Sequence, residues 1–241
     1  MHFSLSADII FSNERLVLYM KKKSELIVML THNDLTVENA YEIFDQCKHS
    51  KAQFWGMKEK GISAEQMKKL FAYMKECGKT TGLEVVAYTE NECMECARMA
   101  AGYGCDILMG TVFSDSVNEF CKDNNLKYMP FVGTVIGRPS VLEGTIKGMI
   151  DEASAYLEKG VYGVDLLGYR YTGDSVTLNK EFVAQVNAPV CIAGSVNCNK
   201  RLDEVKDAAP WSFTIGSAFF ENKFGDSFSL QIDNVCEYME K

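Results

Sequence analysis

Two Gly-Ser pairs stand at matching places late in the chain, Gly194-Ser195 in VCIAGSVN and Gly216-Ser217 in SFTIGSAFF. Each closes an apolar, β-prone run and leads into a helical stretch. Glycine lets an anion approach the main chain, and the free N–H groups of a turn or helix start can donate to phosphate oxygens. One such turn says little. Two, at corresponding places in consecutive units, predict a phosphate cradle with Gly194, Ser195, Gly216 and Ser217 as its ligands.

Other polar residues mark the ends of other β-prone runs. Glu84 lies inside GLEVVAY, among apolar neighbours. A charge in a buried strand must be paired or line a wet cavity. Strand alternation puts Glu84 on the same face as the small Gly82, which is the face expected to point inward. Lys58 closes FWGMK on the preceding strand. It can pair with Glu84, bind substrate oxygens, or act as a base or Schiff-base amine. Lys58 and Glu84 are therefore the catalytic candidates. Arg170, between Tyr169 and Tyr171, can clamp a carboxylate or phosphate through paired hydrogen bonds. Asn33 in THND and Thr111 in LMGTVF complete the expected substrate-binding set. Arg138 is a further anion candidate, and His32 reads as a loop residue.

Three acidic or thiol features are set aside. Asp106 and Asp165 open their predicted strands, so both are expected at the strand-entry face as structural carboxylates. Cys93 and Cys96 form a single CxxC within a predicted helix, without a second pair or a histidine pair. The sparse histidines show no ligand spacing, so neither a metal nor a cofactor is expected.

The elements that must position these residues alternate along the chain. β-prone runs begin near residues 26, 53, 82, 106, 127, 162, 190 and 212. Helical patterns fill the intervals at 37–49, 63–77, 90–103, 115–123, 145–159, 179–186 and 199–208, and 228–239 closes the chain. Within 63–77, Met67, Leu70, Phe71 and Met74 share one face, with Ser63 and Gln66 forming a capping-box signature. Strand followed by helix, repeated eight times, predicts a parallel sheet closed into a (β/α)8 TIM barrel. No glycine-rich dinucleotide loop follows the first run. No linker divides the chain, so one domain spanning 1–241 is expected, with 1–23 an N-terminal extension packing on or covering the barrel bottom. In such barrels chemistry belongs at the C-terminal ends of the strands.

Composition narrows the function. Apolar residues make up 47% of the chain and charged residues 24%, enough for a core and too apolar for disorder. The formal charge of −8 opposes bulk binding to nucleic acid. No apolar run reaches ~18 residues, so no membrane span is expected. Nine scattered cysteines and no secretory pattern suggest reduced thiols and a cytoplasmic protein.

The segment 189–219 resembles the last two βα units of phosphate-binding aldolase-type barrels. N-acylmannosamine-6-phosphate 2-epimerases and other ribulose-phosphate-binding barrels are similar in this part. The epimerase pattern carries a glutamate just before the seventh-strand glycine, where this chain has Ala193. Segment 78–118 is similar in rhythm to the glycerol uptake operon antiterminator family. The first resemblance implies an enzyme acting on a small phosphorylated sugar, by proton transfer next to a carbonyl (isomerase or epimerase) or by carbon–carbon cleavage (aldolase or lyase). It also implies a homodimer. The second implies the alternative, a phosphometabolite-sensing regulator that binds RNA without catalysis.

Overall fold

The computed structural model describes residues 23–241. The expected cover formed by the N-terminal extension lies, apart from Lys23, outside the described residues. Eight parallel strands make up the central sheet: β1 Glu25–Met29, β2 Phe54–Lys58, β3 Thr80–Val85, β4 Ile107–Gly110, β5 Lys127–Met129, β6 Val164–Leu166, β7 Val190–Ile192 and β8 Ser212–Ile215. Their order is β6-β7-β8-β1-β2-β3-β4-β5. The circuit closes between β5 and β6 through a parallel bridge from Phe131 to Asp165. There the Asp165 N–H donates to the Pro130 carbonyl at 3.0 Å. This is the (β/α)8 barrel expected from the alternation.

The outer layer comprises α1 Ala40–Cys47, α2 Ala64–Glu76, α3 Glu90–Gly102, α4 Asp115–Asp123, α5 Ile146–Glu158, α6 Ser175–Gln185, α7 Asn199–Ala208, the short α8 Ser217–Phe220 and α9 Phe228–Glu240. Helix α2 shows why these segments fold as they do. Ser63 accepts from the Gln66 N–H while the Gln66 side chain reaches back to Ser63, and Met67, Leu70, Phe71 and Met74 are buried against the barrel. Each such side chain contributes roughly 1.5–3 kcal/mol of burial. Helix α6 starts at Ser175, four residues ahead of the expected 179. Asp174 accepts from the N–H groups of Val176 and Thr177 and so nucleates the first turn earlier.

Inside the barrel, Ile27, Met29, Ile107, Met109, Met129 and Cys191 form an apolar filling. Gly56 faces Gly82 across β2 and β3. A side chain at Gly56 would meet the Met29 sulfur at 2.4 Å, so the glycine makes room for the methionine. At the strand-entry face Phe54, Trp211 and Tyr162 pack edge to face and close the bottom. The open end faces the other way.

Two antiparallel hairpins rise from that open end. One pairs Thr31–His32 with Leu35–Thr36, and the other pairs Thr134–Ile136 with Val141–Glu143. Neither was foreseen from the βα alternation. No helix among the described residues is long and apolar enough to cross a membrane. All nine cysteines are free, and the Cys93–Cys96 pair lies within α3.

Candidate functional site

The end of β2 and the first hairpin are locked together by one threonine. The Thr36 hydroxyl donates to the Lys58 carbonyl at 2.9 Å and accepts from the Lys58 N–H at 2.9 Å. The hairpin turns on Asn33 and Asp34, with φ of 51° and 62°. Asn-Asp suits this left-handed two-residue turn. The clamp holds Asp34 over the barrel mouth. Its Oδ1 receives Lys58 Nζ at 2.9 Å and Arg170 Nη2 at 3.4 Å.

Lys58 sits between two carboxylates, with Nζ also 3.5 Å from Glu84 Oε1. The Lys58 and Glu84 side chains are only 8% and 9% exposed. At an effective dielectric constant of ~20 each contact is worth roughly 5 kcal/mol before desolvation. Burying one ammonium costs several kcal/mol. The two contacts together win. Burial pushes the Lys58 pKa down, but Glu84 and Asp34 outweigh it and the net shift is upward. For Asp34, burial pushes up, while the bond and charge of Lys58 and the charges of Arg170 and Arg138 pull the net value down. Lys58 is thus held as an ammonium and Asp34 as a carboxylate.

Both Gly-Ser turns open onto the same cavity as this cluster. Gly194, Ser195, Gly216 and Ser217 line it together with Lys58, Glu84, Asp34 and Arg170. Its volume is about 150 Å³. An enclosed space of that size takes a molecule on the scale of benzene, so the rest of a larger ligand must face the opening. Among the described residues, none accepts a backbone hydrogen bond from Gly194, Ser195, Gly216 or Ser217. Packing also demands the glycines. Gly194 has φ of 120°, and a Cβ there would lie 2.9 Å from the Tyr169 Cβ. A Cβ on Gly216 would meet the Thr31 hydroxyl at 2.6 Å. The Ser217 hydroxyl already accepts from the Asn33 N–H at 3.3 Å.

Several expected residues lie elsewhere. Asn33 is exposed and does not line the cavity; its neighbour Asp34 does. In a two-residue turn adjacent side chains diverge, and the spacing could not tell which one turns inward. Thr111 is also outside the cavity. Its hydroxyl is paired with the Tyr128 hydroxyl at 2.8 Å, and Tyr128 packs against Phe113 on the outside of the barrel. Gly110, with φ of 84°, breaks the alternation that would keep Thr111 on the inward face with Met109. Arg138 donates to the Val86 carbonyl at 2.8 Å and reaches Glu59 at 3.3 Å, at the edge of the mouth. His32 lies in the hairpin against Phe220.

The two set-aside aspartates separate. Asp106 lies at the strand-entry face as expected. It accepts from the Thr81 N–H and hydroxyl, both at 2.9 Å, and pairs with Lys75 at 3.0 Å. Asp165 does not lie there. The run YGVDLLGYR becomes a strand only over Val164–Leu166, so Asp165 is its middle residue and is completely buried. Burial, with the nearby charge of Glu84, pushes its pKa well up against the opposing pull of Lys58. The sequence carried one usable signal for it, a lone carboxylate between apolar residues, the same signal that singled out Glu84.

No protein-family model matches the chain, and no curated protein matches it by sequence. Solved structures do match in shape. Orotidine 5′-phosphate decarboxylase from Pyrococcus horikoshii superposes with a TM-score of 0.68 at 14% identity, covering 90% of this chain and 99% of that one. A native KDPGal structure gives 0.66 at 16% identity, covering 91% and 96%. The N-acetylmannosamine-6-phosphate 2-epimerase from Clostridium perfringens gives 0.60 at 13% identity, covering 83% and 90%. At such identities the likeness establishes the fold alone, a (β/α)8 barrel.

Proposed function

We propose that the protein is an enzyme that moves a proton next to the carbonyl of a small phosphorylated sugar or related metabolite. The observation that carries this reading is that the Lys58–Glu84 pair and both Gly-Ser turns open onto one cavity. The turns at 194–195 and 216–217 hold the phosphoryl group through backbone N–H donors. Asp34 and Glu84 already balance Lys58 and Arg170, so backbone donors rather than spare cations must carry that affinity. Fixing the non-reacting phosphate positions the carbonyl over the barrel. Glu84 takes the proton from the adjacent carbon, and the electron pair moves onto the carbonyl oxygen. The Lys58 ammonium donates to the resulting enediolate. Return of the proton from Glu84 to the former carbonyl carbon, with the proton of the adjacent hydroxyl passing to the enediolate oxygen, completes an isomerisation.

Carbon–carbon cleavage through a Schiff base needs Lys58 as a neutral amine. Its raised pKa favours the ammonium and therefore the proton-transfer version. Many surface lysines are paired with carboxylates, among them Lys51 with Glu237, Lys159 with Asp115 and Lys180 with Asp207. That interleaving supports a metabolite rather than a nucleic-acid chain as partner.

A panel of phosphorylated sugars and their dephosphorylated forms, screened by thermal denaturation, tests the binding half. A ligand at a hundredfold its Kd adds ~2.7 kcal/mol. For a chain of this size that raises Tm by roughly 5–11 °C. The dephosphorylated forms should give no shift. Deuterium incorporation next to the carbonyl, followed by NMR, tests the chemistry. Full exchange by Lys58→Ala overturns it. A borohydride-trapped adduct on Lys58 would replace it with an aldolase.

A further inference from the structure

We propose that Asp165 serves this site as a neutral carboxylic acid close to the Lys58–Glu84 ion pair. The inference deepens the proposed proton transfer and rests on it for its catalytic meaning, though not for its test. Asp165 is completely buried at the centre of β6, and neither of its carboxylate oxygens has a hydrogen-bond partner among the described residues. An ionised carboxylate without a donor is far costlier to bury than a neutral acid.

Its surroundings offer little relief. On β7 its register partner is Cys191, a buried thiol whose own pKa is pushed well up by burial and by Asp165. Next to Cys191, on β8, stands the buried Ser212 hydroxyl, without a hydrogen-bond partner among the described residues. On the β5 side lie Pro130 and Phe131, which do not titrate. Across the barrel the charges that reach it are Glu84 on β3 and Lys58 on β2. Lys58 is already engaged at 2.9 Å by Asp34 and at 3.5 Å by Glu84. The one cation in reach among the described residues is therefore committed elsewhere.

This arrangement gives Asp165 a positioning role. While it is neutral, Glu84 remains the carboxylate of the barrel interior that faces Lys58, at 3.5 Å. When Glu84 takes the substrate proton, the ammonium loses one anionic partner and turns to the new enediolate oxygen. If Asp165 ionised, its charge would replace that partner and weaken the hold of Lys58 on the enediolate. Ionisation of Asp165 thus sets the alkaline limit of activity.

Infrared spectroscopy of the whole protein tests the inference without any substrate. Wild type minus Asp165→Asn should show the carbonyl stretch of a protonated carboxyl at about pH 7, fading as the pH rises. Glu84→Gln, which removes the neighbouring negative charge, should move that fading to lower pH. If Asp165→Asn does not fold, ¹³C-aspartate labelling of the wild type reads the same band by its isotope shift. No such band in the folded wild type, or a midpoint unmoved by Glu84→Gln, overturns the proposal. In turnover, Asp165→Asn should carry the alkaline limb of kcat/KM outward by about one pH unit or more and leave the acid limb in place. A limb that stays put overturns the positioning role. Should no phosphometabolite be turned over, the proposed reaction fails while the infrared result still stands by itself.

Discussion

Replacing Lys58 by methionine keeps most of the buried stem and removes the ammonium. The two carboxylates respond differently. Asp34 is 27% exposed on its side chain and retains Arg170 at 3.4 Å. Glu84, at 9%, has Lys58 as its ion-pair partner among the described residues and is left buried and unpaired. Breaking a buried pair in this way costs ~3–5 kcal/mol. We expect Lys58→Met to lose about 3 kcal/mol near pH 7. This loss corresponds to a Tm drop of roughly 6–12 °C. Adding Glu84→Gln should return ~2 kcal/mol, because no charge is then stranded. Urea denaturation of the four proteins in this cycle measures the coupling. A coupling below ~0.5 kcal/mol, the level of independent sites, would refute the ion-pair reasoning.

Other consequences are as concrete. Gly216→Ala drives a Cβ to 2.6 Å from the Thr31 hydroxyl and 2.9 Å from the Thr31 carbonyl oxygen. It should cost ~1–3 kcal/mol by overpacking and abolish the phosphate-dependent Tm shift. Gly102→Ala, at the end of α3 with nothing near its Cβ, should instead gain up to ~1 kcal/mol and leave ligand shifts intact. Asp165 has a folded-state pKa above its unfolded one, so its contribution is most favourable below the unfolded value of ~3.9 and is lost as pH rises toward the folded value. Asp165→Asn removes that slope, and its stability relative to wild type should rise as the pH is raised from about 4; parallel curves would contradict this. Ser63→Ala breaks the capping box of α2 and should cost ~1 kcal/mol in denaturant melts, without changing ligand binding.

Much of the barrel was written in local pattern. Apolar β-branched runs alternate with helical stripes such as Met67, Leu70, Phe71 and Met74, and each element buries the face its own period displays. The Gly-Ser turns were legible because a strand end, a glycine and a helix start recur in order. The hairpins were harder to see. Strands of two or three residues have too little periodicity to register, although Asn33-Asp34 between threonines is a turn signal.

By itself, then, the sequence determined the order and type of the elements, the closed barrel they build, and the rim where the glycine turns meet. It could not determine which polar residue enters the interior. A strand's faces alternate at every residue, so a shift of one or two positions in where β6 begins carries Asp165 from the entry face to the barrel centre. The positive φ of Gly110 broke that two-fold period and turned Thr111 outward, and the hairpin geometry chose Asp34 over Asn33. Nor could it pair Asp34 with Arg170, 136 residues away. Those choices came from closure of the sheet and the Thr36 clamp, which bring distant strand ends to one mouth and set charge against charge at hydrogen-bond range.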